Sequence, residues 1–210
     1  MRVKSLALCR PRAAPTGEER GGEETGAARA LKDICGLASF IRKRGGQTML
    51  IAIPKGWFSK DYRVLDGARQ VAEIDMAWWR EEGRLTVGGV SYQVYREKLM
   101  SGAFLLETGH GSALARAEKP SAFFRRFFIE YGERRLTLEA KSLFRRELVL
   151  LDGQSEIGRV TPAGFFTRRA TVDLPDELPL PAQVFILWLA LILWERESDG
   201  SPAAGGAGGI

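Results

Sequence analysis

His110 is the only histidine of this 210-residue chain, held between glycines in Gly109-His110-Gly111 with Ser112 next. Three chemistries would use such a residue. A metal site needs several nitrogen, sulfur or carboxylate ligands, and the chain has no cysteine after Cys35 to supply them. A serine nucleophile would need a base beside it, but Ser112 lies in no nucleophile-elbow pattern. A phosphate loop would need a third glycine opening a helix and a following lysine, and neither is present. What is left is a solvated hairpin loop.

Carboxylates group as Glu81-Glu82 and as Asp173, Asp176 and Glu177. Such groups do acid–base work only across a cleft, which nearness in sequence does not create. The first pair reads as lying in a turn before Gly83, and the second set falls where a helix start favours negative charge. Both read as structural or solvated. No catalytic residue, metal set or cofactor is expected, and the chain reads as non-enzymatic. An enzyme with an unrecognised site is the weakest alternative.

Arginine doublets recur at Arg125-Arg126, Arg134-Arg135, Arg145-Arg146 and Arg168-Arg169. If they lie in strands, alternation sends one arginine outward and the other inward or to a rim. Outward ones that cluster attract phosphate head groups, at about 1 kcal/mol per basic residue near an anionic surface. An ordinary charged exterior, offset by neighbouring glutamates, is the competing reading. The expected head-group contacts are Arg125, Arg126, Arg145, Arg146, Arg168 and Arg169. Trp57-Phe58 and Trp78-Trp79 read as core by default, with a membrane-facing patch as the alternative.

The elements that would position these residues are short strands. Asp66-Gly67 turns Tyr62–Leu65 back into Gln70–Ala77, a strong hairpin signal because both residues tolerate positive φ. Gly88-Gly89 joins Arg84–Val87 to Val90–Tyr95, and Gly109-His110-Gly111 joins Ala103–Glu107 to Ser112–Ala117. Gly132-Glu133 lies between Phe127–Tyr131 and Arg134–Ala140, and Asp152-Gly153 between Arg145–Leu151 and Gln154–Val160. A last pair is expected at Gly164–Phe166 and Arg168–Leu174. Phe123 to Phe128 also fits a short helix capped by Ser121 and Gly132, but a strand from Phe127 onward is favoured.

About a dozen short strands then meet Leu178 to Trp194, LPLPAQVFILWLALILW, a run with no charge. A helix apolar on all sides must be buried in lipid or in protein. Seventeen helical residues span about 26 Å against a hydrocarbon core of about 30 Å. Pro179 and Pro181 shorten the continuous helix to Ala182–Trp194, and Glu195, Arg196 and Glu197 end it without an orienting positive cluster. The expectation is a mainly β fold: a closed antiparallel barrel of about twelve strands around a central hydrophobic C-terminal helix, residues 182–196. Val184, Phe185, Leu187, Trp188, Leu191 and Trp194 would fill its core. A tail-anchored membrane protein carrying a cytosolic β domain is the alternative.

Asp-Gly hairpins, the phrase LDGQSEIGRV (Leu151 to Val160), and the apolar helix after VDLPDELPLP (Val172 to Pro181) resemble the tubby C-terminal-like superfamily. That group includes tubby domains, LURP-one-related proteins and phospholipid scramblases, and the likeness is to its bacterial-type members. The resemblance covers roughly Ile51 to Arg196. It implies a twelve-stranded barrel around a central helix and a non-enzymatic, lipid-related or membrane-associated module. The sequence carries no counterpart of a scramblase calcium-binding segment or of a cysteine-rich acylation cluster.

The chain holds 31 basic and 26 acidic residues, a formal +5. Met1 to Thr48 contributes 10 basic and 5 acidic, so the part from Met49 onward balances at 21 of each. A neutral body without a recognition motif argues against nucleic acid. Cys9 and Cys35 both lie before Met49, so the body has no disulfide framework and suits a reducing compartment. Residues 1–48 read either as a disordered leader, with one amphipathic stripe over Ala28–Ile41, or as a mis-assigned start ahead of Met49. Leu6-Ala7-Leu8-Cys9 is no lipoprotein box, because the apolar stretch is too short and Leu8 too large. The Gly/Ala tail, residues 198–210, is expected to be disordered. The whole reads as a barrel domain over 49–197, cytoplasmic and peripheral at the membrane, whose partner is an anionic membrane surface or a protein.

Overall fold

The computed structural model describes residues 47–56, 59–77, 81–97, 102–121, 124–142, 145–164 and 168–200. Among them the chain forms twelve strands and one helix. The strands are β1 (Gln47–Pro54), β2 (Tyr62–Asp66), β3 (Arg69–Met76), β4 (Glu82–Val87), β5 (Val90–Arg96) and β6 (Ala103–Thr108). They continue as β7 (Ala113–Glu118), β8 (Arg126–Tyr131), β9 (Arg134–Ala140), β10 (Leu148–Asp152), β11 (Ser155–Pro162) and β12 (Ala170–Pro175), followed by α1 (Leu180–Gly200). Every strand pairs antiparallel with its sequence neighbours, and β1 closes the barrel on β12. Closure leaves no strand edge to pair with another chain.

Two strand expectations change. The twelfth strand is β1, which starts at Gln47, ahead of the expected domain start; Gln47 and Thr48 pair with Pro175 and Leu174. Gly164 is a bend between β11 and β12, and residues 165–167 lie outside the described residues. The Phe123–Phe128 segment resolves as strand from Arg126, with residues 122–123 outside the described residues.

The two ends of the barrel differ. At one end the strands turn through Gly67-Ala68, Gly88-Gly89, Gly109 to Ser112, Gly132-Glu133 and Gly153-Gln154. Gly88 and Gly89 both adopt positive φ, 57° and 86°, which fits the right-handed twist of the flanking strands. At the other end the connections are longer: 55–61, 77–81, 97–102, 119–125, 141–147 and 163–169. Helix α1 starts at the hairpin end, where β12 finishes, and emerges among the long connections.

Alternation explains the core. Leu85, Val94, Leu106, Ile129, Leu138 and Val160 point inward and are buried, while their strand neighbours face out. Small inward residues, Ala52, Ala72, Ala115, Ala117 and Ala170, make room for a helix. On α1, Val184, Phe185, Leu187, Trp188, Leu191 and Trp194 are all buried. Trp188 meets Phe104 edge-on at 5.8 Å and stacks on Phe185 at 6.0 Å, and Phe104 meets Phe127 edge-on at 5.5 Å. Such pairs add about 0.5–1.5 kcal/mol beyond area burial.

Polar contacts fix the helix at its start. Gln183 is the one buried polar side chain among the described residues, and its amide donates to the carbonyls of Leu178 (2.7 Å) and Pro175 (3.4 Å). Thr48 donates to Asp176 across the same end.

A β-bulge at Leu150/Leu151 places Gly158 where an added Cβ would lie 2.6 Å from the Asp173 carbonyl oxygen and 2.9 Å from Leu174 Cδ2. Because one obstacle is backbone, Gly158→Val is expected to destabilise the barrel by about 1–3 kcal/mol, through overpacking. Urea unfolding followed by circular dichroism checks this; an unchanged midpoint would mean that β11 shifts freely.

Candidate functional site

Strand alternation does not place most of the doublet arginines, because only Arg126, Arg134 and Arg135 lie in strands, each at a strand's start. Arg125, Arg145, Arg146, Arg168 and Arg169 lie on the long connections, and Arg126 is the first residue of β8. All six therefore gather at the helix-exit end. Arg134 and Arg135 open β9 at the hairpin end. The expected split of each doublet into one outward and one inward arginine is corrected to a rim arrangement.

The rim sorts these arginines by task. Arg146 and Trp194 clasp each other: the indole N–H donates to the Arg146 carbonyl at 2.8 Å, and the guanidinium donates to the Trp194 carbonyl at 3.2 Å. The same guanidinium sits 5.6 Å from the Trp194 ring centre, a cation–π contact. Arg125 pairs with Glu197 and donates to the carbonyls of Ser142 (3.4 Å) and Arg145 (3.2 Å). These two arginines hold the end of α1. Arg126 pairs with Glu139 at 2.5 Å on the barrel wall.

Arg145 and Arg168 are exposed and Arg169 half-buried. Arg168 lies 5.8 Å over the ring of buried Tyr62. Burial pushes the Tyr62 hydroxyl above its ordinary pKa, and Arg168 partly offsets this. Arg145 and Arg169 have no side-chain partner among the described residues.

The charged end of the helix joins the same rim. Glu195 accepts from Lys60 at 2.8 Å, and Arg196 pairs with Glu81, which also accepts from Arg96 at 3.2 Å. These partners explain why α1 runs on past Trp194 to Gly200 instead of ending with its apolar run. Nearby, Lys119 is held below its ordinary pKa, first by burial and then by the cations Arg196 and Arg96.

Charge is segregated along the barrel axis. By sequence, the six long connections contain eleven basic and four acidic residues, whereas the five hairpin turns contain one acidic residue and no lysine or arginine. A whole-chain count hides this, because the strands hold eleven acidic and nine basic residues, Asp176 and Glu177 precede α1, and Glu195, Glu197 and Asp199 end it with Arg196.

The other candidates stay apart from this rim. His110 is exposed on the β6–β7 turn. Asp173 lies on β12 and Asp176 and Glu177 form the turn before α1, at the hairpin end. Glu82 begins β4, and Glu81, the last residue of the connection before it, serves the rim ion pairs. Trp57-Phe58 and Trp78-Trp79 fall outside the described residues. No group of three or more His, Cys, Asp or Glu side chains that could hold a metal occurs among the described residues. No helix among them is long and apolar enough to cross a membrane.

Lys55 forms a separate cluster on the outer wall, donating to Asp75 (2.7 Å) and Glu73 (3.1 Å). The hydrogen bond to Asp75 leads in raising the Lys55 pKa, and the one from Lys55 leads in lowering that of Glu73. An ion-paired, partly exposed cluster of this kind adds little stability.

No known family matches the sequence, and no curated protein matches it. Among solved structures, the chain is similar to the X-ray structure of a protein from Arabidopsis thaliana. The two are 12% identical, with a TM-score of 0.49, over 72% of this chain and 91% of that one.

Proposed function

We propose that this protein is a non-enzymatic, membrane-associated binding module of the tubby and scramblase-like type that holds anionic phospholipid head groups. The observation that carries the reading is the one-ended concentration of cations. Arg145, Arg168 and Arg169 stand on adjacent or nearby connections with few local anions, while Arg125 and Arg146 brace the rim beneath them. A surface of this kind attracts a negatively charged leaflet over about a Debye length, about 8 Å at physiological salt. The protein would then be cytoplasmic and peripheral, reaching the membrane from outside it.

The tail-anchor alternative needs α1 in lipid. Its apolar surface is already used: residues Ala182 to Trp194 are all at most 5% exposed within the barrel. An enzyme reading has less to rest on: among the described residues the rim's Glu81, Glu195 and Glu197 are each held in an ion pair with a cation.

Vesicle flotation tests the proposal. The protein is expected to float with vesicles containing phosphatidylserine, not with pure phosphatidylcholine, and to be released by high salt. Equal flotation with both, or with neither, would overturn the head-group reading.

A further inference from the structure

The connections at the rim carry large apolar residues as well as charge, and the topology decides at which end they lie. By sequence, each of the six long connections holds an adjacent pair of large apolar residues, from Trp57-Phe58 and Trp78-Trp79 to Phe165-Phe166. The five hairpin turns at the opposite end hold none. Within one of these pairs the structure describes Phe124, and its side chain is 64% exposed, the most exposed large apolar residue among the described residues. It is flanked in sequence by Arg125 and Arg126 and faces the same end as Arg145, Arg168 and Arg169. A side chain that covered the end of the core would itself be largely buried, which Phe124 is not.

An exposed aromatic side chain at an end rich in cations matches the layered chemistry of a bilayer surface. Aromatic rings sit at head-group depth and basic groups meet phosphates just above. A protein partner would be expected to balance the excess cations with a matching acidic face. An anionic bilayer supplies both the charge and the apolar layer.

Resting on the head-group reading, we infer that the barrel docks end-on: its helix-exit end enters the interfacial layer of an anionic bilayer. Phe124 goes below the phosphates, and Arg145, Arg168 and Arg169 pair with them. The barrel axis stands across the membrane plane instead of lying along it, and the hairpin end with Glu133 points away. α1 stays inside the barrel, and its charged end faces the head groups.

Both cysteines precede β1 in the sequence, so Cys9→Ser and Cys35→Ser give a background for single-site labelling of the full chain. An environment-sensitive nitrobenzoxadiazole probe is attached at Phe124→Cys or at Glu133→Cys, at opposite ends of the barrel. With phosphatidylserine vesicles the probe at 124 is expected to brighten and shift to the blue, and the probe at 133 to stay unchanged. Separately, Phe124→Ser should lower partition to these vesicles by roughly tenfold while leaving its salt dependence intact. Flotation of both labelled proteins with neither probe responding would overturn insertion and leave head-group binding standing. Loss of flotation by the unlabelled full chain would overturn both. Response at 133, or brightening at 124 with increasing protein concentration and no vesicles, would also overturn the inference; the latter would assign the face to a second copy of the chain.

Discussion

Deletion from Leu178 onward is expected to abolish folding, not to release a stable β domain. The inward faces of twelve strands converge on α1, and Val184 to Ala190 are at most 1% exposed. Removing that helix would leave the barrel an apolar void far larger than any single-residue cavity, or force a collapse that breaks closure between β1 and β12. A milder change reads the same interior. Trp188→Ala removes the ring that joins Phe104 and Phe185 and is expected to cost about 3–5 kcal/mol. Circular dichroism and limited proteolysis of both variants measure this. A truncated chain that keeps cooperative melting and protease resistance would show that the strands support themselves.

The second large effect is on membrane binding. Arg145→Gln, Arg168→Gln and Arg169→Gln together should weaken partition to anionic vesicles by about a hundredfold, from about 1 kcal/mol per charge. The triple variant should also show a shallower loss of binding with salt. Arg134→Gln with Arg135→Gln, at the hairpin end, should leave partition unchanged. Arg125→Gln and Arg146→Gln belong to another class, since they free the Glu197 carboxylate and the Trp194 carbonyl and so lower stability as well. Vesicle co-sedimentation together with thermal melts separates the two. Equal losses from the variants at both ends would argue for a diffuse charge effect.

Hairpin glycines, alternation along β3 and β9, and a charge-free helix of sub-membrane length were enough to read the barrel and its filled centre. β1 escaped because its QTMLIAIP run follows a basic, glycine-rich stretch and has no paired turn before it. Its partner β12 is far away in sequence, and register with a distant strand leaves no local mark. The arginines were legible as candidates but not as a group. Their common location depends on which connections share an end of the barrel, which is a property of strand order. Assigning them to strands, where side chains alternate, obscured that. Arg146 and Arg125 carry no sequence sign of their structural task, since their partners are backbone carbonyls and a helix end. The polarity of the barrel, short glycine turns at one end and long basic connections at the other, was readable only once strand order was fixed.

The pairing of β1 with β12 also sets a timetable for biosynthesis. At about 5–20 residues per second, roughly 7–30 seconds pass between the emergence of β1 and the completion of α1. Through that interval β1 lacks its partner on one side, and the inward faces of every strand already made have no helix to cover them. The growing chain is a curved sheet with an apolar lining, the form most prone to aggregate or to recruit chaperones. The last element of the barrel to be synthesised is the one that all earlier strands depend on. A premature stop just before it would leave an aggregation-prone chain in place of a shortened domain.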